Sequence, residues 1–188
     1  MNLLEELYNI RCVNVSDINE HLPTIRKYAE ECDHVTEMGV RYGVSTFGLM
    51  MCKPKKLISY DIVPIKNWNV DVEDLKYIAN TNGVDYNFIV GDTTKIEIEE
   101  TDFLFIDTDH TYSQLKTELQ LHGNKARKYL GFHDTTSCEF EDSNNGINTT
   151  GGGRGLWPAI EEFLNDNPHW KLHERFTNNN GLTILKRD

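Results

Sequence analysis

His34-Val-Thr-Glu37-Met-Gly39-Val-Arg41-Tyr-Gly43-Val-Ser45-Thr46 decides the fold. A short run with β-branched residues ends in Glu37, glycines follow at 39 and 43, and an apolar stretch from Val44 to Met51 begins where a helix would start. That order is strand, tight glycine bend, helix, the opening unit of a doubly wound α/β sheet. Gly39 lets the backbone turn sharply and approach a ligand, and Gly43 lets the helix begin packed against the strand. Ser45, with the free amides of the first helical turn, can hold a carboxylate. A dinucleotide fingerprint would want further glycines where this chain has Arg41 and Val44, and no Gly-Lys-Ser/Thr phosphate loop occurs. The bend therefore suits a nucleoside without phosphates.

Downstream, the same unit repeats with an acid at each strand end. Lys56-Leu-Ile-Ser-Tyr-Asp61 reads as a second strand, and its acid falls about 20 residues after Gly39, where such folds put a carboxylate on the two ribose hydroxyls. A helix from Asp71 to about Ala79 is closed by Asn82-Gly83. Asp85-Tyr-Asn-Phe-Ile-Val-Gly-Asp92 is a third strand; Asp92 can accept from an exocyclic amine such as adenine's, and Thr93 can cap the next turn.

Thr101-Asp-Phe-Leu-Phe-Ile-Asp107 is nearly continuous apolar sequence, as expected of a central parallel strand, and it ends in Asp107-Thr-Asp109-His110. A helix from Tyr112 to about Lys128 carries Leu115, Leu119 and His122 on one side and charges elsewhere. The fifth strand, Lys128 to Asp134, delivers His133-Asp134 to the same edge. Two strand ends reading Asp-x-Asp-His and His-Asp bring at least three oxygen or nitrogen ligands within reach of one cation.

The flanks are simpler. Residues 1–32 read as two helices, with Leu3, Leu4, Leu7 and Ile10 on one stripe and Ile18, Leu22, Ile25, Tyr28 and Ala29 on the next, capped by Ser16 or Asp17. They pack on the sheet or cover the mouth of a site. From Thr135 to Arg154 periodicity is lost, and the glycine-rich segment reads as a flexible lid, with Arg154 able to reach an acidic group. Leu156 to Leu164 is helical, and His169 to Leu185 is an antiparallel hairpin turned by Asn178-Asn-Asn-Gly181. Residues 1–188 thus form one domain without repeats.

A net charge of −11 argues against nucleic acid or an anionic membrane as partner. Cys12, Cys32, Cys52 and Cys138 form no Cys-x-x-Cys pair, and there is no signal peptide or membrane-length apolar run, so the expected setting is cytoplasmic with reduced thiols. Three of these cysteines read as core filler, and Cys138 has no assigned place. A small-molecule partner is the natural one, and a homo-oligomer stays open.

Taken together, Glu37-x-Gly39-x-x-x-Gly43, Asp61, Asp92, Asp107 and the terminal hairpin resemble the class I methyltransferases that use S-adenosylmethionine, over residues 34–188. Phe105-Ile-Asp-Thr-Asp-His110-Thr-Tyr, Phe132-His-Asp134 and Gly155-Leu-Trp-Pro-Ala-Ile-Glu-Glu-Phe163 look like the metal-assisted small-molecule O-methyltransferases, similar to the macrolide-sugar methyltransferases and cephalosporin-hydroxylase-like proteins. The resemblance implies a Rossmann-like α/β fold with a seven-stranded, mostly parallel sheet, an antiparallel C-terminal hairpin and helices on both faces. It implies that Glu37, Gly39 and Ser45 lie near the methionine part of the cofactor, with Asp61 on the ribose and Asp92 near the adenine. It also implies that Asp107 and the pair after strand five bind a divalent cation, magnesium or manganese, with His110 as general base. His133 stands where the subgroup has an acid, which either turns the site toward manganese or another transition ion or leaves His133 outside the ligand set.

Two rival readings exist. Asp107-Thr-Asp109-His-Thr111 matches the Asp-x-Asp-x-Thr of aspartate-nucleophile phosphatases, which place it on the first strand of their fold, and a catalytically silent cofactor-binding domain would keep the same pattern.

Overall fold

The computed structural model describes residues 2–65, 71–143 and 153–188. Its elements are α1 (Leu3–Val13), α2 (Leu22–Ala29), β1 (His34–Met38), α3 (Val44–Met50), β2 (Lys56–Asp61), α4 (Val72–Thr81), β3 (Asp85–Val90), β4 (Thr101–Ile106), α5 (Tyr112–His122), β5 (Ala126–His133), α6 (Leu156–Asp166), β6 (Trp170–Phe176) and β7 (Leu182–Arg187). They build one seven-stranded sheet in the order β3-β2-β1-β4-β5-β7-β6. Strands β1 to β5 pair in parallel, and β7 runs antiparallel to both its neighbours. This is a Rossmann-like, mostly parallel α/β architecture with an antiparallel C-terminal hairpin.

Period-two alternation splits the core between the faces. Phe103 and Phe105 of β4 join Val35, Leu57 and Tyr129 on the face covered by α1 to α4. Leu104 and Ile106 point the other way, with Met38, Leu130 and Phe132, under α5 and α6. Every residue of β1 and β4 is buried, as expected of central strands covered on both faces. Strand order reverses between β1 and β4, so their carboxyl ends open a crevice where such sheets bind ligands.

Several boundaries differ from the sequence expectation. Helix α5 stops at His122 rather than near Lys128, because a 3-10 turn over Gly123–Lys125 intervenes, and β5 accordingly starts at Ala126. Neither Ser16 nor Asp17 caps α2: a 3-10 turn, Asn19–His21, leads directly into it, with Pro23 in its first turn. Asp71 does cap α4, accepting from the Glu73 amide at 2.8 Å. Residues 135–143, expected as part of a lid, are held in place: the Cys138 amide donates to the Asp134 carbonyl at 2.9 Å and the Ser143 amide to that of His110 at 2.9 Å. The rest of that expected lid, 144–152, lies outside the described residues. Arg154 does not face the crevice, since it pairs with Glu162 at 2.9 Å and stacks 4.1 Å over Tyr112. No helix among the described residues is long and apolar enough to cross a membrane.

Candidate active site

The crevice is formed by two adjoining cavities. One, of about 600 Å³, is lined by Asp17, Ser45, His110, Asp134 and Cys138 among others. The second, of about 360 Å³, is lined by Asp61, Ile62, Asp92, Thr93 and Gln114 among others. Gly39, Val40, Arg41, Asp107 and Thr108 line both, so the bend after β1 and the tip of β4 form the saddle between them. Gly39 has φ +86, and a Cβ there would lie 2.6 Å from the carbonyl carbon of Asp107. What the missing side chain admits is thus the backbone of β4 as well as a ligand. Gly43 has φ +69 as the residue preceding α3.

Glu37 faces inward. Its side chain is fully buried and accepts from Ser45 Oγ at 2.6 Å, Thr46 Oγ1 at 2.9 Å and Ser59 Oγ at 2.5 Å. Burial pushes its carboxyl up to about 7, against the pull of those three hydroxyls. Neither cavity is lined by it, so its part is to tie α3 and β2 to β1 beneath the bend. Ser45 reaches the larger cavity while donating its hydroxyl to Glu37.

Asp61 is preorganised by backbone. Its Oδ2 accepts from the amides of Val40 at 2.9 Å and Arg41 at 3.1 Å, and Oδ1 from that of Val63 at 3.0 Å. A carboxylate offers about four acceptor sites, so one remains for a ligand hydroxyl. Asp92, rather than Thr93, caps the following turn, accepting from the Thr94 amide at 3.0 Å and hydroxyl at 2.6 Å. Lys95 and Thr94 hold its carboxyl below the usual range. Thr93 instead donates to Glu118, which also accepts from Gln114 Nε2 at 2.8 Å and Thr108 Oγ1 at 2.9 Å. Glu118 is fully buried and raised to about 7 by that burial. It pins the tips of β3 and β4 to α5, a role the sequence reading missed by placing charges only on the outer side of that helix.

Beside the saddle, four side chains converge. His110 Nε2 lies 3.2 Å from Asp107 Oδ1 and 3.2 Å from Asp134 Oδ2. His133 Nδ1 lies 2.9 Å from Asp134 Oδ2 and 3.4 Å from Asp107 Oδ1. Ser137 Oγ donates to Asp134 Oδ1 at 2.6 Å, and Cys138 stands next to His110 and Asp134. Burial alone would lower both imidazoles, yet the facing carboxylates raise His110 to about 11 and His133 to about 10. Burial would likewise raise Asp107, but the imidazoles hold it well below the usual carboxylate range.

The donors fit a divalent cation, and His133 carries the test. Its Nε2 donates to the carbonyl of Asn179 at 3.1 Å, which leaves Nδ1 as the inward atom. That Nδ1 is buried and makes no hydrogen bond of acceptable angle, although two carboxylate oxygens face it. A ring nitrogen fixed from behind by a carbonyl and aimed at acids is how metal-ligating histidines are held. Asp107, His133 and Asp134 bring one donor each within 4.8 Å of one another. His110, expected to face an acceptor as base, directs Nε2 between the two carboxylates.

The support behind His133 comes from both ends of the chain. The turn at 178–181 has positive φ at Asn179, Asn180 and Gly181. The Asn178 carbonyl contacts His21 Nε2 at 2.9 Å, and the Asn180 carbonyl accepts from the amides of Thr136 and Ser137. The Asn179 side chain binds Glu20 N at 3.0 Å and the Ser16 carbonyl at 2.9 Å. Nothing in side-chain identity alone announces such backbone contacts.

The rival phosphatase motif does not survive its placement. Asp107-Thr-Asp109 follows the fourth strand rather than the first, and Thr111 is spent capping α5.

No family model matches the chain, and no curated protein sequence matches it. Solved structures do. A Staphylococcus aureus protein assigned as a caffeoyl-CoA O-methyltransferase aligns with TM-score 0.67 and 13% identity over 100% of this chain and 93% of its own. An O-methyltransferase from Bacillus cereus in complex with SAH gives 0.62 and 15% over 98% and 90%. Magnesium protoporphyrin IX methyltransferase from Synechocystis with bound SAH gives 0.62 and 12% over 100% and 96%. At these identities the likeness establishes the shared fold.

Proposed function

We propose that this fold and cleft serve an S-adenosylmethionine-dependent O-methyltransferase that acts on a hydroxyl of a small molecule, a sugar or glycoside, with a divalent cation. The observation that carries the reading is the saddle itself: a nucleoside-sized cavity edged by Asp61 and Asp92 adjoins a larger one that ends at the donor cluster. SAH bound in two proteins of the same fold supports the cofactor. The acidic composition and four widely spaced cysteines support a cytoplasmic small-molecule enzyme.

In this reading Asp61 receives a ribose hydroxyl on its remaining acceptor site, while Asp92, Ile62 and Gln114 bound the adenine. Gly39, Val40 and Arg41, which line both cavities, would hold the methionine end of the cofactor, which when bound supplies the methyl group. Methyl transfer needs the acceptor oxygen in line with the methyl carbon, so orientation supplies much of the rate. Asp107, His133 and Asp134 would hold the cation, which when bound fixes the acceptor hydroxyl and makes it more acidic. Ser137 keeps Asp134 aimed, and Asn179 keeps His133 aimed.

The test is calorimetric titration with S-adenosylhomocysteine, followed by transfer from methyl-labelled cofactor to a panel of hydroxylated acceptors with magnesium or manganese. Asp61→Asn is expected to weaken S-adenosylhomocysteine binding by roughly 10-fold or more, the scale of one lost charge-assisted hydrogen bond. Absence of binding by the wild-type chain would overturn the cofactor reading. Binding without transfer to any acceptor would favour the silent domain.

A further inference from the structure

We propose that His110 is the fourth ligand of the cation rather than a base beside it, giving a two-histidine, two-aspartate centre selective for transition ions. The inference rests on the cation reading above. Around the cluster the four donor atoms follow one another as Asp107 Oδ1, His110 Nε2, Asp134 Oδ2 and His133 Nδ1, at 3.2, 3.2, 2.9 and 3.4 Å. An ion with bonds of about 2.0–2.2 Å to nitrogen and oxygen spaces neighbouring ligands about 3 Å apart in octahedral geometry and about 3.4 Å in tetrahedral. The four separations lie close to those values, and His110 forms with Asp134 and Cys138 a second set of donors within 4.8 Å of one another, sharing Asp134 with the set of Asp107, His133 and Asp134.

The placement of His110 follows from local structure. It sits between β4 and α5, where Thr111 caps the helix, and its own carbonyl accepts from the Ser143 amide at 2.9 Å. The imidazole is thus anchored through its backbone on both sides and turned toward the acids. A base for an acceptor hydroxyl needs a free lone pair directed at that hydroxyl. Here Nε2 is directed at the two groups that would themselves bind the ion. Two aspartates among the four donors match the charge of a divalent ion without a further acid.

The donor chemistry then selects the metal. Magnesium keeps to oxygen ligands and retains several waters, whereas imidazole suits manganese, iron, cobalt and zinc increasingly well. Two imidazoles among four ligands therefore disfavour magnesium. Cys138, at the edge of the same cluster, adds a soft sulfur neighbour that points in the same direction.

The experiment is calorimetric titration of the full chain with Co²⁺, Mn²⁺ and Mg²⁺, with the absorption spectrum of the Co²⁺ form, on wild type, His110→Ala and His110→Gln. S-adenosylhomocysteine binding serves as the fold control for each. Wild type is expected to bind Co²⁺ at least about 10-fold more tightly than Mg²⁺. Each variant is expected to lose Co²⁺ affinity beyond the roughly 10–100-fold that follows from disturbing a group behind a ligand, and to alter the Co²⁺ spectrum, while the smaller Mg²⁺ affinity changes less. Wild-type Co²⁺ affinity and spectrum in the variants would overturn the ligand role of His110 and leave the cation reading standing. No binding of any ion to the wild type would overturn both, and equal affinity for Mg²⁺ and Co²⁺ would overturn the selectivity.

Discussion

Replacing Gly39 by alanine is expected to cost about 3 kcal/mol or more of stability and to abolish S-adenosylhomocysteine binding. Two effects combine there. The residue has φ +86, which strains any L side chain, and the added Cβ would enter the carbonyl of Asp107. Relieving the clash means parting β1 from β4 at their tips, against the bond from the Asp107 amide to the Met38 carbonyl at 2.8 Å. Gly83 separates the causes, since it has φ +77 and a Cβ added there would meet no atom within 4 Å. Gly83→Ala should therefore show the backbone penalty alone, about 1–2 kcal/mol, with cofactor affinity unchanged. Urea denaturation and calorimetry on the two variants make the comparison; equal losses would mean that the approach to Asp107 contributes nothing.

The second large effect concerns Glu37 and pH. Its carboxyl ionises at about 4.5 when exposed and at about 7 when folded, so between those values the folded chain holds a proton that the unfolded chain has released. Its contribution to stability is then fully present below pH 4.5, is lost as pH rises toward 7, and is absent above. The interval corresponds to roughly 3 kcal/mol for this fully buried group. Glu118 adds a slope of the same sign. Glu37→Gln should flatten the fall in urea midpoint between about pH 5 and pH 7.5, because the amide is never charged. Glu37→Ala should instead destabilise at every pH by several kcal/mol, since Ser45, Thr46 and Ser59 lose a buried acceptor. An unchanged pH profile in the glutamine variant would show that Glu37 is not the titrating group.

How much of this was legible depended on whether side-chain type or spatial neighbourhood carried the information. The β1 bend was readable because two glycines interrupt an apolar pattern that changes period from strand to helix. Asp107, His133 and Asp134 stood out because apolar runs deliver them to one edge. Glu37 was placed correctly at the strand end but given a ligand to meet; the hydroxyls of Ser45, Thr46 and Ser59, each on a buried face, were the signal that it meets them instead. Glu118 was missed although it falls three residues after Leu115 and four before His122, on the side that faces the core. A carboxylate at such a position is a request for internal donors. The contribution of Asn179 was hidden for another reason, because it acts through a main-chain carbonyl that every residue has.

The turn that supplies that carbonyl sets an order of assembly. The crevice is lined by residues up to 143, and a ribosome would release them well before the final hairpin. His133 acquires its fixed orientation only when residues 178–181 dock against 16–21, a pairing of segments separated by almost the whole chain. Closures of such long sequence separation are slow to find. A nascent chain therefore completes the tips of β1 to β4 before the backing that fixes the His133 ring is in place.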